Sequence, residues 1–161
     1  MGCKVRHLGG YKDGNFDVNP LSDLWVQGQP LKFNTAGLLE LCKCYREAHD
    51  DGYCGLAVGH LGTLADRKSD IYNGKAAYYA GYNQLKLDAA DPENHDDDDY
   101  PYDTALVYTP GDDLYINELG FLTNIGPGGG GGVYTDVCLD ATPIAYVLAV
   151  ASTYMIINQV R

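Results

Sequence analysis

Five cysteines (Cys3, Cys42, Cys44, Cys54, Cys138) and four histidines (His7, His49, His60, His95) are the side chains from which nucleophilic or metal chemistry would have to be built. Cys42 and Cys44, two apart, would point the same way from a strand, and with Cys54 and His60 they outline a zinc set. No second C-x-x-C or H-x-x-x-H anchors that set, so reduced, packed thiols are the expected state. No histidine falls in H-E-x-x-H, and no Ser or Cys lies in G-x-S-x-G or C-G-x-C. A hydrolase or transferase needs a nucleophile, a base and an oxyanion or metal device in one pocket. Such a set cannot be assembled here, and the expectation is a non-enzymatic chain without a cofactor.

Three other groupings have chemical potential. Asp96, Asp97, Asp98 and Asp99 supply hard oxygen ligands suited to Ca²⁺, within the stretch Asp88 to Asp103. The D-x-[DN]-x-[DN]-G loop with its closing Glu is missing, and a solvated acidic loop is the expected reading. The run from Gly126 to Gly132 has no Lys-Ser/Thr pair after it and reads as a hairpin tip, not a phosphate cradle. Tyr72, Tyr78, Tyr79, Tyr82, Tyr100, Tyr102, Tyr108 and Tyr115 cluster in mid-chain. They suit either sheet surfaces or a contact face, and Tyr78, Tyr79 and Tyr82 suit a sugar-stacking platform.

The charge balance removes whole classes of partner. Eleven basic against 22 acidic residues give a net charge of −11, which repels nucleic-acid phosphate and anionic membrane surfaces. No apolar run reaches the length of a membrane span, and the N-terminal residues lack a secretory h-region. Met1-Gly2 does not open a myristoylation motif, because Arg6 stands where Ser or Thr is required.

The elements expected to position these residues are short strands. From Leu24 onward, apolar runs separated by turn residues cover 24–26, 30–33, 38–44, 53–58, 76–79, 85–87, 105–108, 114–116, 121–123, 133–139, 144–150 and 154–160. That spacing is typical of sandwiches and barrels. A helical stripe over Ala36 to His49 is the competing reading. Residues 73–85 look like a hairpin with glycine-bounded turns.

A twelve-residue pattern, G-x-x-L-x-Φ-N-x-x-G-Φ-L with Φ apolar, occurs at Gly28–Leu39 and again 83 residues later at Gly111–Leu122. Each copy predicts a hairpin in which Asn opens a type I turn and Gly supplies the left-handed residue of a G1 bulge. Each is followed by a similar strand, Gly55 to Val58 and Val147 to Val150. Residues 1–22, rich in Gly, Asn, Asp and Lys, read as an extended arm outside the core. The expectation is therefore all-β: one small antiparallel β-barrel or sandwich over 23–161, with an internal hairpin repeat and an N-terminal arm.

The segment Thr109 to Asn124, with its P-G-D entry, Leu114-Tyr115-Ile116 strand and Gly120-Phe121-Leu122-Thr123, resembles a recurrent phrase of tailed-phage head decoration (cement) proteins. Gln27 to Leu31, the Gly55–Val58 strand and a Gly-rich middle hairpin are similar in order to that family's small β-barrel. The resemblance implies a virion structural protein, made in the host cytoplasm, that binds the outer face of the major capsid protein as a homotrimer and stabilises the shell. It implies no direct contact with nucleic acid or membrane. The Asp-rich and Gly-rich loops depart from the family pattern. On this reading the arm adds a strand to a capsid or neighbouring subunit, with Lys4, Val5, Arg6, Tyr11, Phe16 and Val18 as contact candidates. Its removal up to Leu21 is expected to leave the domain folded. The alternatives are a carbohydrate-binding sandwich, assisted by Ca²⁺ at Asp96–Asp99, and another virion component such as a tail or fibre protein.

Overall fold

Side chains that alternate along a strand bury one face and expose the other, and among the described residues they build nine strands around two cores. The computed structural model describes residues 3–43, 52–62, 74–88, 100–126 and 142–161. Its strands are β1 (Lys4–Asp17), β2 (Pro30–Phe33), β3 (Leu39–Leu41), β4 (Tyr53–Ala57), β5 (Lys75–Asp88), β6 (Asp113–Ile116), β7 (Leu122–Thr123), β8 (Ala145–Val150) and β9 (Tyr154–Gln159). No helix occurs among the described residues. The sheet runs β3-β2-β4-β5-β9-β8-β6-β7, with β1 on β5, and every strand pairing is antiparallel. The protein is all-β.

The repeated Asn-to-Gly pattern makes two matching hairpins, β2–β3 and β6–β7. Asn34 Oδ1 accepts from the Ala36 and Leu38 N–H groups at 2.9 and 3.0 Å, and Asn117 Oδ1 accepts from Leu119 and Phe121 at 3.0 and 2.9 Å. Gly37 (φ 77°) and Gly120 (φ 85°) take the left-handed conformation that closes each turn.

The likeness extends well beyond the twelve residues. The Gly28 N–H donates to the Ala57 carbonyl and the Gly111 N–H to the Val147 carbonyl, each at 2.8 Å. The Val26 N–H donates to Gln29 Oε1 at 2.8 Å, and the Thr109 N–H to Asp112 Oδ2 at 2.9 Å. Upstream, Val18 forms a parallel bridge with Leu39, as Tyr102 does with Leu122. Trp25 and Tyr108 are buried at matching places. The chain therefore contains two copies of one curled unit. In the first, β1, the front of β5, β4, β2 and β3 close through Val18. In the second, the back of β5, β9, β8, β6 and β7 close through Tyr102.

Each curl holds a core. Trp25, Leu31, Leu39, Leu41, Ala57, Ala76 and Tyr78 fill the first, and Leu85, Leu87, Leu114, Ile116, Leu122, Val147, Met155 and Ile157 are among those filling the second. Adjacent residues of β4 and β5 divide between them: Leu56 and Tyr79 belong to the second core, Ala57 and Tyr78 to the first. At this point, Leu56–Ala57 against Tyr78–Tyr79, the two strands are buried on both faces.

Several expectations are corrected. Residues 4–17 are not a separate arm but a 14-residue strand paired with β5 from Lys4↔Asp88 to Asp17↔Lys75. Phe16 stacks on Tyr78 at 5.5 Å and meets Phe33 edge-on at 5.1 Å, so the first core is incomplete without it. Residues 75–88 form one strand and not a hairpin; Gly81, read as a turn, sits at a bulge between register points Gly9↔Gln84 and Tyr11↔Ala80. Residues 105–108 are a turn and extended chain, and Leu24–Val26 contributes only the Trp25↔Leu61 bridge. The expected strand over 38–44 is present as β3 at 39–41, so the competing helical stripe does not form there. The register pairs Leu31 with Gly55 and Leu114 with Ala145, so Gly55 corresponds to Ala145 and not to Val147. The expected strand at 133–139 lies outside the described residues.

Candidate functional site

The contact candidates on β1 divide by the side they face. Lys4, Arg6 and Tyr11 are exposed, with Tyr11 at 76%. Val5 packs on the second core, while Phe16 and Val18 pack on the first, so those three serve the fold. Every residue from Leu8 to Asn15 is exposed. Among the described residues, the β1 edge facing away from β5 pairs with no other strand. It is occupied only at its ends: the Val5 N–H donates to Gln27 Oε1 at 3.2 Å, and the Asn19 N–H to the Leu39 carbonyl at 2.8 Å. Tyr82, also 76% exposed, lies beside this strand where its carbonyl faces Gly10.

Beneath the β1 bulge a polar network joins the two units. His7 Nε2 lies 2.8 Å from Asn83 Oδ1. Asn83 Nδ2 donates to Gln159 Oε1 at 3.2 Å, and Gln159 Nε2 donates to the Tyr79 and Arg161 carbonyls at 2.7 Å each. Asn83 and Gln159 are buried with their polar atoms satisfied, which fixes how β5, β9 and β1 meet.

A second surface feature lies at the junction of the units. Gln29, buried, donates through Nε2 to the Gly120 carbonyl at 2.9 Å and holds the second hairpin tip against the first unit. Beside this clamp is a recess of about 350 Å³ lined mainly by Leu24, Trp25, Val26, Leu41, Leu61 and Leu119, with the Lys43–Asp23 ion pair among its lining residues. Leu24 and Leu119 remain 54% and 40% exposed there. In the second unit Asp112 replaces Gln29, and Asn124 and Thr109 bond to it, holding its carboxyl below the usual range. This polar cap gives the end of the array a different surface from its junction.

Among the described residues, His60 included, no three His, Cys, Asp or Glu side chains gather as a metal site, although Cys42 and Cys54 lie near enough for one to raise the pKa of the other. Cys42 belongs to the second core, Cys54 packs on the first, and Cys44 lies outside the described residues. Asp96–Asp99, His49, His95, Cys138, Tyr72 and the glycine run from 127 on also lie outside them. Tyr78 and Tyr79 are buried, so the expected sugar-stacking trio does not form a platform.

Burial pushes the Cys3 thiol up to about 12, with the Asp88 charge adding to it, and the Cys54 thiol likewise to about 12, with Cys42 adding. Burial also raises the Tyr53 and Tyr108 hydroxyls above their usual range. Folding thus favours the protonated forms. Their contribution is intact below the unfolded values of 9.0 for a thiol and 10.0 for a phenol, and is lost as pH rises through the folded values. The urea midpoint should hold between pH 7 and 8.5 and fall steadily above pH 9, as read by circular dichroism. Native-state iodoacetamide labelling at pH 8 should modify Cys3 and Cys54 at least tenfold more slowly than in urea, measured residue by residue by mass spectrometry.

Compared with protein-family models, curated proteins and solved structures, the chain matches none.

Proposed function

We propose that this chain is a virion structural protein that binds the outer surface of a tailed phage's major capsid protein and stabilises the shell as a decoration protein. The observation that carries this reading is β1: a long edge strand, exposed from Leu8 to Asn15 and presenting Tyr11, on a domain whose other outer edges, at β3 and β7, are bridged by the chain's own residues 18 and 102. An edge left open over that length invites pairing by another chain unless a partner covers it. The resemblance noted in the sequence adds support, since its Thr109–Asn124 phrase supplies β6, β7 and their turn.

A small adhesive domain works by mass action. Many copies, each burying on the order of 1,000 Å² against neighbouring capsomers, favour the shell conformation that offers the sites. The net charge of −11 suits a subunit on the outside of the shell, away from packaged genome, and keeps free copies soluble before assembly. The proposed bound state is a homotrimer with no direct contact to nucleic acid or membrane.

The test is to mix purified protein with capsids lacking it and image them by cryo-electron microscopy. Ordered density at fixed lattice positions, lost with Tyr11→Asp, is the expected result. Capsids that stay bare at micromolar protein would sink the proposal.

A further inference from the structure

We propose that the open edge of β1 receives an extended, acidic peptide segment of the partner, laid alongside as an added strand and held at two points by Lys4 and Lys12. This deepens the capsid-binding reading and rests on it for the partner's identity, but the site's chemistry stands on its own observations.

The first observation is how the positive charge is distributed. Acidic residues outnumber basic ones two to one, and the described lysines outside β1 are all ion-paired: Lys32 with Glu40, Lys43 with Asp23, Lys75 with Asp17 and Lys86 with Asp88. Lys4 and Lys12 have no carboxylate partner among the described residues, and both are exposed on β1. In a chain with so many carboxylates, two unpaired lysines on one open strand are a site for an external anion. They are eight residues apart, about 26 Å along a strand, and stand on opposite faces of the sheet, Lys12 on the side of Tyr79 and Val5, and Lys4 on the other, so they suit an extended segment with a carboxylate on each face, one toward each end.

The second observation is Gly9. A methyl group added there would meet nothing within 4 Å, and its φ lies outside the left-handed range, so neither the chain's own packing nor its backbone asks for glycine. Glycine in a strand interior commonly marks the close approach of another backbone. Gly10 differs, since an added Cβ would overlap Asn83 Oδ1 and the Tyr82 carbonyl. The exposed rings of Tyr11 and Tyr82 flank this smooth stretch, and rigid aromatic side chains are favoured anchors of interfaces. Bulges at Leu8 and at Gly14–Asn15 bound the stretch, a further register shift opposite Gly81 falls between Gly9 and Tyr11, and these breaks discourage indiscriminate edge pairing.

The experiment titrates full-length protein with a synthetic twelve-residue peptide of Val and Thr that carries Glu on both faces of its strand. Its comparators are a Lys-for-Glu version, a version N-methylated at every second residue, and a twelve-base-pair DNA duplex, all at low salt by isothermal calorimetry and amide NMR. The acidic peptide is expected to bind and to shift residues 8–15. Affinity should fall about tenfold in the Lys4→Glu/Lys12→Glu variant and at 0.5 M salt, the scale of two exposed ion pairs. Melting temperature should fall only slightly, because both side chains are exposed and the one new like-charge contact is that of position 4 with Asp88 across the strand. N-methylation should abolish binding, and Gly9→Val should weaken it. Equal binding of the Lys peptide, tighter binding of DNA, or an unaffected double variant would overturn the proposal. If the acidic peptide binds but capsids stay bare, the capsid reading falls and the strand site stands; if capsids bind the double variant as well as the natural chain, the reverse holds.

Discussion

Deleting Met1 to Leu21 should abolish the cooperative unfolding transition, leaving a chain that binds a hydrophobic dye and has lost its near-ultraviolet circular dichroism. The deleted segment includes all of β1, which pairs with β5 along its length. It also contains buried Cys3 and the half-buried Val5, Phe16 and Val18, which pack on both cores. Phe16→Ala alone should cost about 2 kcal/mol, less than a fully buried phenylalanine because the ring is partly exposed. Removing the strand also takes away the Val18–Leu39 bridge and opens the first curl. Against a total stability of about 5–15 kcal/mol, the summed loss is not survivable. Lys4→Ala and Tyr11→Ala, on the exposed side, should each stay within about 0.5 kcal/mol of the natural chain. A truncated protein that melts at the full-length temperature would restore the picture of a detachable arm.

That contrast shows where the sequence was legible and where it was not. The hairpin turns could be read because their chemistry is local: the Asn side chain bonds to N–H groups two and four residues on, and Gly supplies the left-handed residue. Strand β1 gave no such signal. It lies at an edge with eight consecutive exposed residues, so no alternation of apolar and polar side chains marks it. Gly81 misled for a related reason, since the same residue serves a turn and a bulge, and only the pairing of β1 with β5 on both sides of it, at Gly9↔Gln84 and Tyr11↔Ala80, decides between them. The full extent of the repeat was hidden because its matched positions share a role and not a residue type. Trp25 answers to Tyr108, Gln29 to Asp112 and Ala57 to Val147, through a common hydrogen bond or core position. On β1, Lys4, Arg6 and Tyr11 were legible as surface residues, whereas Val5, Phe16 and, just past the strand, Val18 carried no mark of facing inward. The unpaired state of Lys4 and Lys12 appears only once the partners of the other lysines are known.

The matched pair Gly55 and Ala145 yields a second large effect with opposite outcomes in the two units. A Cβ built on Gly55 would lie 2.1 Å from the Tyr79 carbonyl oxygen and 2.6 Å from Tyr78 Cδ2. The first of these is backbone in a strand buried on both faces, so it cannot yield without disturbing both cores. Gly55→Ala should therefore destabilise by about 3 kcal/mol, the upper range for overpacking, although alanine is intrinsically the easier residue to order. At the matching place in the second unit, Ala145 is buried at 0% exposure and its methyl group belongs to the second core. Ala145→Gly should cost about 1 kcal/mol through lost packing and greater unfolded-state freedom. The difference arises because β4 carries a core on each side while β8 leaves Leu148 and Val150 in solvent. Urea titrations of the two variants check this directly: similar midpoint shifts would mean that the units are not packed unequally, and that β4 is not held between two cores.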